Sequence, residues 1–127
     1  MSHFSTIKTK IKDRDSLLKA LQVLEYDVEV DQKLENPIDH EHEEVHVHVA
    51  VGNDIGFRLN PSTQTYELVT DLQTWDKPIP VERFLQKVSQ QYAEEVLVKE
   101  AIAEGMQVES RKVNNDGTVE LTVTTWS

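Results

Sequence analysis

The sequence predicts an α+β protein in which two helices cover one face of an antiparallel sheet. The stretch from Val81 to Glu104 carries apolar residues at three- and four-residue steps, which is the pattern of an amphipathic helix. Shorter stretches on both sides of it alternate apolar and polar residues, as half-buried strands do. Short turns join most of these strands, so they cannot all be parallel. We expect a single domain over residues 1–127 with a ferredoxin-like split βαβ core, extra strands and a C-terminal hairpin.

The chain is expected to begin with a strand, a short helix and a second strand. His3 to Ile11 alternates and predicts the first strand. Asp13 is expected to cap the helix, because its carboxylate can accept hydrogen bonds from the free amides of the first turn. Tyr26 to Asp31 alternates again and predicts a half-exposed strand near an edge, where outward acidic residues discourage further pairing. The apolar stripe of the short helix consists of Leu17, Leu18, Leu21 and Leu24.

The middle of the chain predicts an acidic loop followed by a three-stranded meander. Gln32 to Glu44 has no apolar period and contains Asn36-Pro37, which indicates a mobile loop. Turn-forming residues, Gly52-Asn53-Asp54 and Asn60-Pro61, separate the alternating stretches that follow it. The predicted strands are Val45 to Val51, Ile55 to Leu59 and Thr65 to Thr70.

The last part of the chain predicts the long helix and a closing hairpin. Pro80 suits the first helical position, because its missing N–H would be unpaired there. Gly105 suits a left-handed residue at the helix end. Met106 to Val113 and Thr118 to Trp126 predict two strands joined at Asp116-Gly117, which is a strong turn signal. The inward face of the last strand is expected to carry Val119, Leu121 and Val123.

A second apolar row lies on the later turns of the long helix, roughly opposite the first row. It consists of Ala93, Leu97 and Ala101. A helix with two apolar sides is buried on both. The C-terminal hairpin could cover this row, and the alternative is a homodimer formed through it.

Composition excludes several classes of function. The chain of 127 residues has no cysteine, and so no disulfide framework, thiol nucleophile or thiolate metal site. Its formal net charge is −10, and acidic residues outnumber lysine and arginine 23 to 13. This argues against nucleic acid as a partner, because phosphate binding needs clustered basic residues. No stretch predicts a membrane span or a signal peptide, which favours a reducing, cytoplasm-like compartment.

The acidic residues are concentrated between Glu25 and Glu44, where Lys33 is the only base. A solvated acidic face explains this concentration, and an electrostatic site for a basic partner is the alternative. Catalytic signals are few, because the four glycines are scattered and no nucleophile elbow is present. Abundant carboxylates do not by themselves identify an acid–base pair. The sequence therefore favours a non-catalytic role.

Four histidines between residues 40 and 48 alternate with glutamates and valines. Imidazole and carboxylate groups are ligands for zinc, nickel or copper(II). His46 and His48 are two residues apart on a predicted strand, so their side chains should share a face. The spacing matches no zinc signature, and a histidine-rich solvated face needs no ligand. Metal binding or sensing is therefore the alternative function, and the main one requires no cofactor. The cluster consists of His40, His42, His46 and His48.

The loop before the long helix is the better functional candidate. A tryptophan in a polar, proline-rich loop either folds back on the core or presents a large amphipathic surface to a partner. Polar residues on the following helix could face the same loop. We therefore predict a protein-binding surface made by Asp71, Gln73, Trp75, Asp76, Gln90, Gln91 and Tyr92.

Two stretches are recognisable together: the opening MSHFSTIKTKIKD with its leucine-rich helix, and YELVTDLQTWDKPIPVERFLQKVSQQYAEE. They resemble the family of the thirty-fifth hypothetical chloroplast reading frame (ycf), small proteins of unknown function from cyanobacteria and algal plastids. The resemblance covers nearly the whole chain in order and is most specific at residues 1–4 and 71–75. It implies an accessory role in a cyanobacterial cytoplasm or plastid stroma. It carries over no catalytic residue.

Overall fold

The computed structural model describes residues 4–35, 44–52 and 54–125. Within these ranges it contains seven strands and two helices, in the predicted order. His3, Trp126 and most of the predicted acidic loop lie outside the described residues. The strands are β1 (Phe4–Lys8), β2 (Val28–Glu35), β3 (Glu44–Val51), β4 (Ile55–Asn60), β5 (Thr65–Asp71), β6 (Met106–Val113) and β7 (Val119–Thr125). The helices are α1 (Arg14–Val23) and α2 (Val81–Ala103).

The main sheet has five strands in the order β1-β5-β4-β3-β2, and every neighbouring pair is antiparallel. β1 and β2 therefore run in the same direction, at opposite edges, with α1 between them in the chain. A ferredoxin-like split βαβ unit places one strand between such a pair, whereas here three strands intervene. The strands after α2 form a separate two-stranded sheet, β6-β7. The α+β class, the antiparallel sheet and the hairpin are thus confirmed, and the ferredoxin-like order is not the one observed.

The main core lies between the sheet and both helices. α1 contributes Leu17 and Leu21, and α2 contributes Phe84 and Val88, all of them almost fully buried. They pack on side chains from one face of β3, β4 and β5. This confirms that both helices cover one face, because their apolar stripes meet the same cluster. The sheet side chains of this core are Val49, Val51, Ile55, Phe57, Tyr66 and Leu68.

The valines of β3 divide between two clusters, although their alternation predicts a single inward face. Val49 and Val51 belong to the core under the helices, whereas Val47 packs in a second cluster with Leu34 and Val69. The pairing of β2 with β3 is irregular at Asp31, whose φ is 54°. The register of β2 with β3 is nevertheless the same on both sides of Asp31. The pairing of β3 with β4 covers only residues 49–51, so Val47 lies beyond it, where β3 no longer follows β4. β2 also extends to residue 35, beyond the predicted start of the loop at Gln32, because it pairs with β3.

The ends of the two helices differ from the prediction in detail. Asp13 is the N-cap residue of α1, but its carboxylate accepts the Ser16 hydroxyl at 2.5 Å and the Lys99 ammonium at 2.9 Å, not a backbone amide. Both groups lower the pKa of Asp13, the Ser16 hydrogen bond first. Pro80 is the N-cap residue of α2 and has an extended backbone, so it precedes the first helical position. Gly105 follows α2 with a φ of 80°, which confirms the left-handed end.

The C-terminal hairpin packs on α2. Val119 and Leu121 are half-buried there, whereas Val123 at the open end of the hairpin is exposed. The second apolar row of α2 is divided: Ala101 is buried, and Ala93 and Leu97 are exposed. The predicted homodimer through these three residues stays a prediction.

Candidate functional site

The segment of residues 72–80 between β5 and α2, which we call the β5–α2 loop, is irregular but fixed at its start. Asp71 is the last residue of β5 and is buried. Its carboxylate accepts the backbone N–H of Gln73 at 2.9 Å, which is an Asx-type turn. The turn fixes the direction in which the chain leaves the sheet.

Trp75 closes the middle of the loop. Its indole Nε1–H donates to the carbonyl oxygen of Ile79 at 2.8 Å, so the loop is bonded to itself. The indole ring meets the ring of Phe84 of α2 edge-on, with centroids 5.6 Å apart. The ring of Tyr26 contacts the Phe84 ring as well, with centroids 5.3 Å apart. Trp75 therefore packs on the core over the start of α2, which is the first of the two arrangements that the sequence allowed.

Lys77 joins the loop to the turn between β3 and β4. Its ammonium lies 3.0 Å from the Asp54 carboxylate and 3.2 Å from that of Asp76. Partial burial disfavours the charged ammonium, but the hydrogen bonds to the two carboxylates outweigh this and raise the pKa of Lys77. The loop is thus braced at three points and presents Leu72, Gln73 and Asp76 to solvent. Leu72 is 46 % exposed.

The three predicted site residues on α2 lie farther along the helix and have partners inside the chain. Gln90 donates to the carbonyl oxygen of Gly117 in the hairpin turn at 3.0 Å. The Tyr92 hydroxyl accepts the backbone N–H groups of Lys12 and Asp13, each at 3.0 Å. Nine or more residues separate these positions from the start of α2, which is about 13 Å of helix. The structure therefore does not bring them together with the exposed part of the loop.

Gln91 leads to a buried polar cluster that the sequence analysis missed. Its amide donates to the carboxylates of Glu94 and Glu95. Arg111 of β6 lies 3.2 Å from the Glu95 carboxylate and 3.8 Å from that of Glu94. The two glutamates are 7 % and 3 % exposed, so burial is compatible with their charge only because these donors are present. The cluster fastens the hairpin to α2, and the spacing of Gln91 and Glu95 by one helical turn is the only signal in the sequence.

A cleft of about 240 Å³ lies beside this cluster, between α1 and α2. Its walls are mostly apolar, and the Glu95 carboxylate forms part of them. Lys19 approaches that carboxylate to 4.0 Å from α1. The Glu95 carboxylate is already paired with Arg111, and the other acid of the cleft, Asp15, is exposed at the start of α1. The side chains around it include Ser16, Val98, Lys99 and Ile102.

The histidines do not form a metal site within the part of the chain that the structure describes. His40 and His42 lie outside it. His48 Nδ1 accepts the backbone N–H of Leu59 at 3.0 Å, and its ring meets Tyr66 edge-on. No group of three or more possible ligands occurs among residues 4–35, 44–52 and 54–125. The metal hypothesis thus stays a prediction. One ring nitrogen of His48, Nδ1, already accepts a hydrogen bond from the backbone.

The fold and the braced loop define a class of small α+β protein, in which a five-stranded antiparallel sheet carries two helices on one face and a hairpin on the second helix. The chain belongs to the family described as "Protein of unknown function (DUF1257)", whose model matches residues 20–122. This confirms the family that the sequence resembles.

Several full-length relatives share the name "Uncharacterized protein ycf35". The protein from Guillardia theta is 35 % identical over 128 residues, covering 99 % of this chain and 98 % of its own. The protein from Cyanophora paradoxa is 31 % identical over 127 residues, with the same coverage. The protein from Pyropia yezoensis is 32 % identical over 129 residues, covering 100 % and 99 %. No solved structure matches the chain. Neither described helix has the length and apolarity needed to cross a membrane.

Proposed function

We propose that this protein is a non-catalytic accessory protein that binds another protein through the exposed part of the β5–α2 loop. Its setting would be a cyanobacterial cytoplasm or a plastid stroma. The family membership supports the photosynthetic lineage, because relatives carry a plastid reading-frame name. The loop itself supports binding.

The observation that carries the proposal is an exposed leucine on a loop that cannot rearrange freely. A single exposed leucine is common on protein surfaces and means little alone. Leu72, however, follows a buried Asp71 that fixes the chain direction, and Trp75 and Lys77 fix the rest of the loop. A preorganised loop loses little conformational entropy on binding, so its exposed groups contribute more to affinity.

Leu72, which was not among the predicted site residues, joins the predicted loop residues, and together they take two roles. Leu72, Gln73 and Asp76 are exposed and would contact the partner. Asp71 and Trp75 would position them. The proposal assigns no partner contact to the three predicted residues of α2, because each already has hydrogen-bond partners inside the chain. These residues are Gln90, Gln91 and Tyr92.

Site-specific photo-crosslinking in cells tests this proposal. A photoreactive amino acid is placed at Gln73 or at Asp76, and at the exposed Glu120 of the hairpin as the control position. We expect one defined protein adduct from both loop positions and none from Glu120. Leu72→Ser should reduce the yield at Asp76 without changing the melting temperature. Absence of an adduct at both loop positions, or an equal adduct at Glu120, would overturn the proposal.

A further inference from the structure

Three lysines at one edge of the main sheet form no ion pair with any residue that the structure describes. Lys8, Lys10 and Lys12 are exposed, two residues apart, at the end of β1 and along the segment that leads to α1. Within the described residues, none of them lies within 4.0 Å of a carboxylate. Other bases do find carboxylates, as Lys99 does with Asp13. In a chain with 23 acidic residues and 13 basic ones, an unpaired row of lysines needs an explanation.

The opposite edge carries a matching row of the other sign. Asp27, Glu29 and Asp31 are exposed, also two residues apart, at the start of β2. None forms an ion pair among the described residues. β1 and β2 are the two outer strands of the five-stranded sheet. Each edge of the sheet therefore presents exposed charges that form no ion pair among the described residues, positive on one side and negative on the other.

We propose that copies of this chain associate head to tail, with the lysine row of one copy against the acidic row of the next. Charged residues protect each edge from a like edge, because two β1 edges or two β2 edges would repel each other. The same charges leave the β1 edge and the β2 edge of different copies complementary. The contact is heterologous, so it extends beyond a closed pair.

In this contact, attraction between charged side chains holds the copies together, and the two edge strands do not form a continuous ladder of backbone hydrogen bonds. Asp31 has a left-handed φ of 54° and interrupts the regular pairing of β2, which distorts that edge. Interactions between exposed charges weaken as salt shortens the Debye length. The association should therefore be weak, dependent on concentration and sensitive to salt.

Sedimentation velocity of the full chain at increasing concentration, in 20 mM and in 500 mM NaCl, is the first test. We expect an average mass above the 14.6 kDa monomer at low salt and the monomer at high salt. A monomer under all conditions overturns the proposal. Association that persists at 500 mM NaCl also overturns it, because an apolar surface such as the exposed part of α2 would then be responsible.

A charge swap identifies the surface. Variant A carries Lys8→Gln, Lys10→Glu and Lys12→Glu; glutamine is used at residue 8 because Glu67 lies directly opposite on β5. Variant B carries Asp27→Lys, Glu29→Lys and Asp31→Asn, because asparagine tolerates the left-handed backbone. Each variant alone should be monomeric at low salt, and an equimolar mixture of A and B should associate again.

A matched control distinguishes the effect of losing the lysine row from the effect of changing the net charge. Arg83→Glu, Lys87→Glu and Lys112→Gln change the net charge as much as variant A does, on α2 and the hairpin. This control should associate as the wild type does, and circular dichroism should show a normal fold in all variants. A mixture of A and B that stays monomeric, or a control that dissociates, contradicts the proposal. Crosslinking at the β5–α2 loop is unaffected by these outcomes, so the two proposals fail separately.

Discussion

The indole Nε1–H of Trp75 donates to the backbone carbonyl oxygen of Ile79, 2.8 Å away, while the same ring packs on Phe84. One side chain thus closes the loop and joins it to the first turn of α2. The polar atom of a half-buried tryptophan finds a partner, and the apolar ring covers the core. This relationship explains why a nine-residue segment without regular structure can hold a fixed shape.

Trp75→Ala should lower the free energy of unfolding by about 2 kcal/mol, less than a fully buried aromatic truncation because Trp75 is only half-buried. Trp75→Phe keeps an aromatic ring but loses the hydrogen bond and part of the packed ring area, so it should cost about 1 kcal/mol, less than Trp75→Ala. Urea unfolding followed by circular dichroism measures both. If Trp75→Ala unfolds at the wild-type urea concentration, Trp75 does not brace the loop.

Gly56→Ala should destabilise the protein through a steric clash. A Cβ atom at residue 56 would lie 2.5 Å from Cγ1 of Val47, which sits on the neighbouring strand β3. Overpacking of this kind typically costs about 1–3 kcal/mol. The double variant Gly56→Ala/Val47→Ala should recover part of the loss, and a double-mutant cycle of urea unfolding free energies measures the recovery. Additive losses would contradict the close contact.

Local sequence patterns predicted the kind and order of the strands and helices, because periodicity and turn chemistry act over a few residues. The bounds of β1 and β2 differ from the predicted ones. The patterns did not predict the strand order in the sheet, which depends on pairings between residues distant in sequence. The placement of Val47 and Val49 in different core clusters also could not be predicted from local patterns. Their alternation is regular in the sequence, yet Val49 lies in the part of β3 that pairs with β4, and Val47 lies beyond it in the other cluster.

The candidate site shows a similar division between local and tertiary information. The β5–α2 loop was identified from its tryptophan and prolines, but the inward position of Trp75 depends on its contact with Phe84 of α2. Glu94 and Glu95 resemble solvated helix residues in the sequence. Their burial becomes evident only when β6 brings Arg111 against them. Tertiary contacts, which no local pattern contains, decide each of these cases.

Arg111→Met should destabilise the hairpin. Glu95 would stay buried without its closer cationic partner, leaving only the Lys19 ammonium at 4.0 Å, and weakening the pairing of a buried charge costs more than the pair itself contributes. Because Arg111 is partly exposed, we expect a loss of about 1–3 kcal/mol. Hydrogen exchange of β6 and β7 should accelerate more than that of β4. Lys112→Met, at the exposed neighbouring residue, is the control.

The double variant Arg111→Met/Glu95→Gln separates charge from packing. Neutralising Glu95 removes the unpaired charge, so the double variant should be more stable than the sum of the two single losses predicts. A double-mutant cycle on urea unfolding free energies tests this. Strict additivity would mean that the two side chains act independently, and the cluster would then not fasten the hairpin to α2.

The ion pair between Asp13 and Lys99 predicts a specific pH dependence of stability. The hydrogen bond from Ser16, and after it the ammonium of Lys99, lower the pKa of Asp13 in the folded protein. A carboxyl group with a lowered folded pKa contributes stability that is fully present above its unfolded pKa, about 3.9, and is lost as the pH falls through the folded value. The hydrogen bond to Asp13 raises the pKa of Lys99, so the contribution of Lys99 is lost only above about pH 10.4.

The Asp13→Asn variant isolates this contribution. The difference in urea midpoint between wild type and variant should be small but constant from pH 5 to pH 9, because both groups are charged there. It should shrink below pH 4, as Asp13 takes up a proton in the wild type, and again above pH 10.4, as Lys99 loses one. Asp15→Asn is the matched control, because Asp15 lies in the same turn without an ion pair among the described residues. A difference that does not change between pH 2 and pH 7 would show that Asp13 stabilises the start of α1 through its shape and not through its charge.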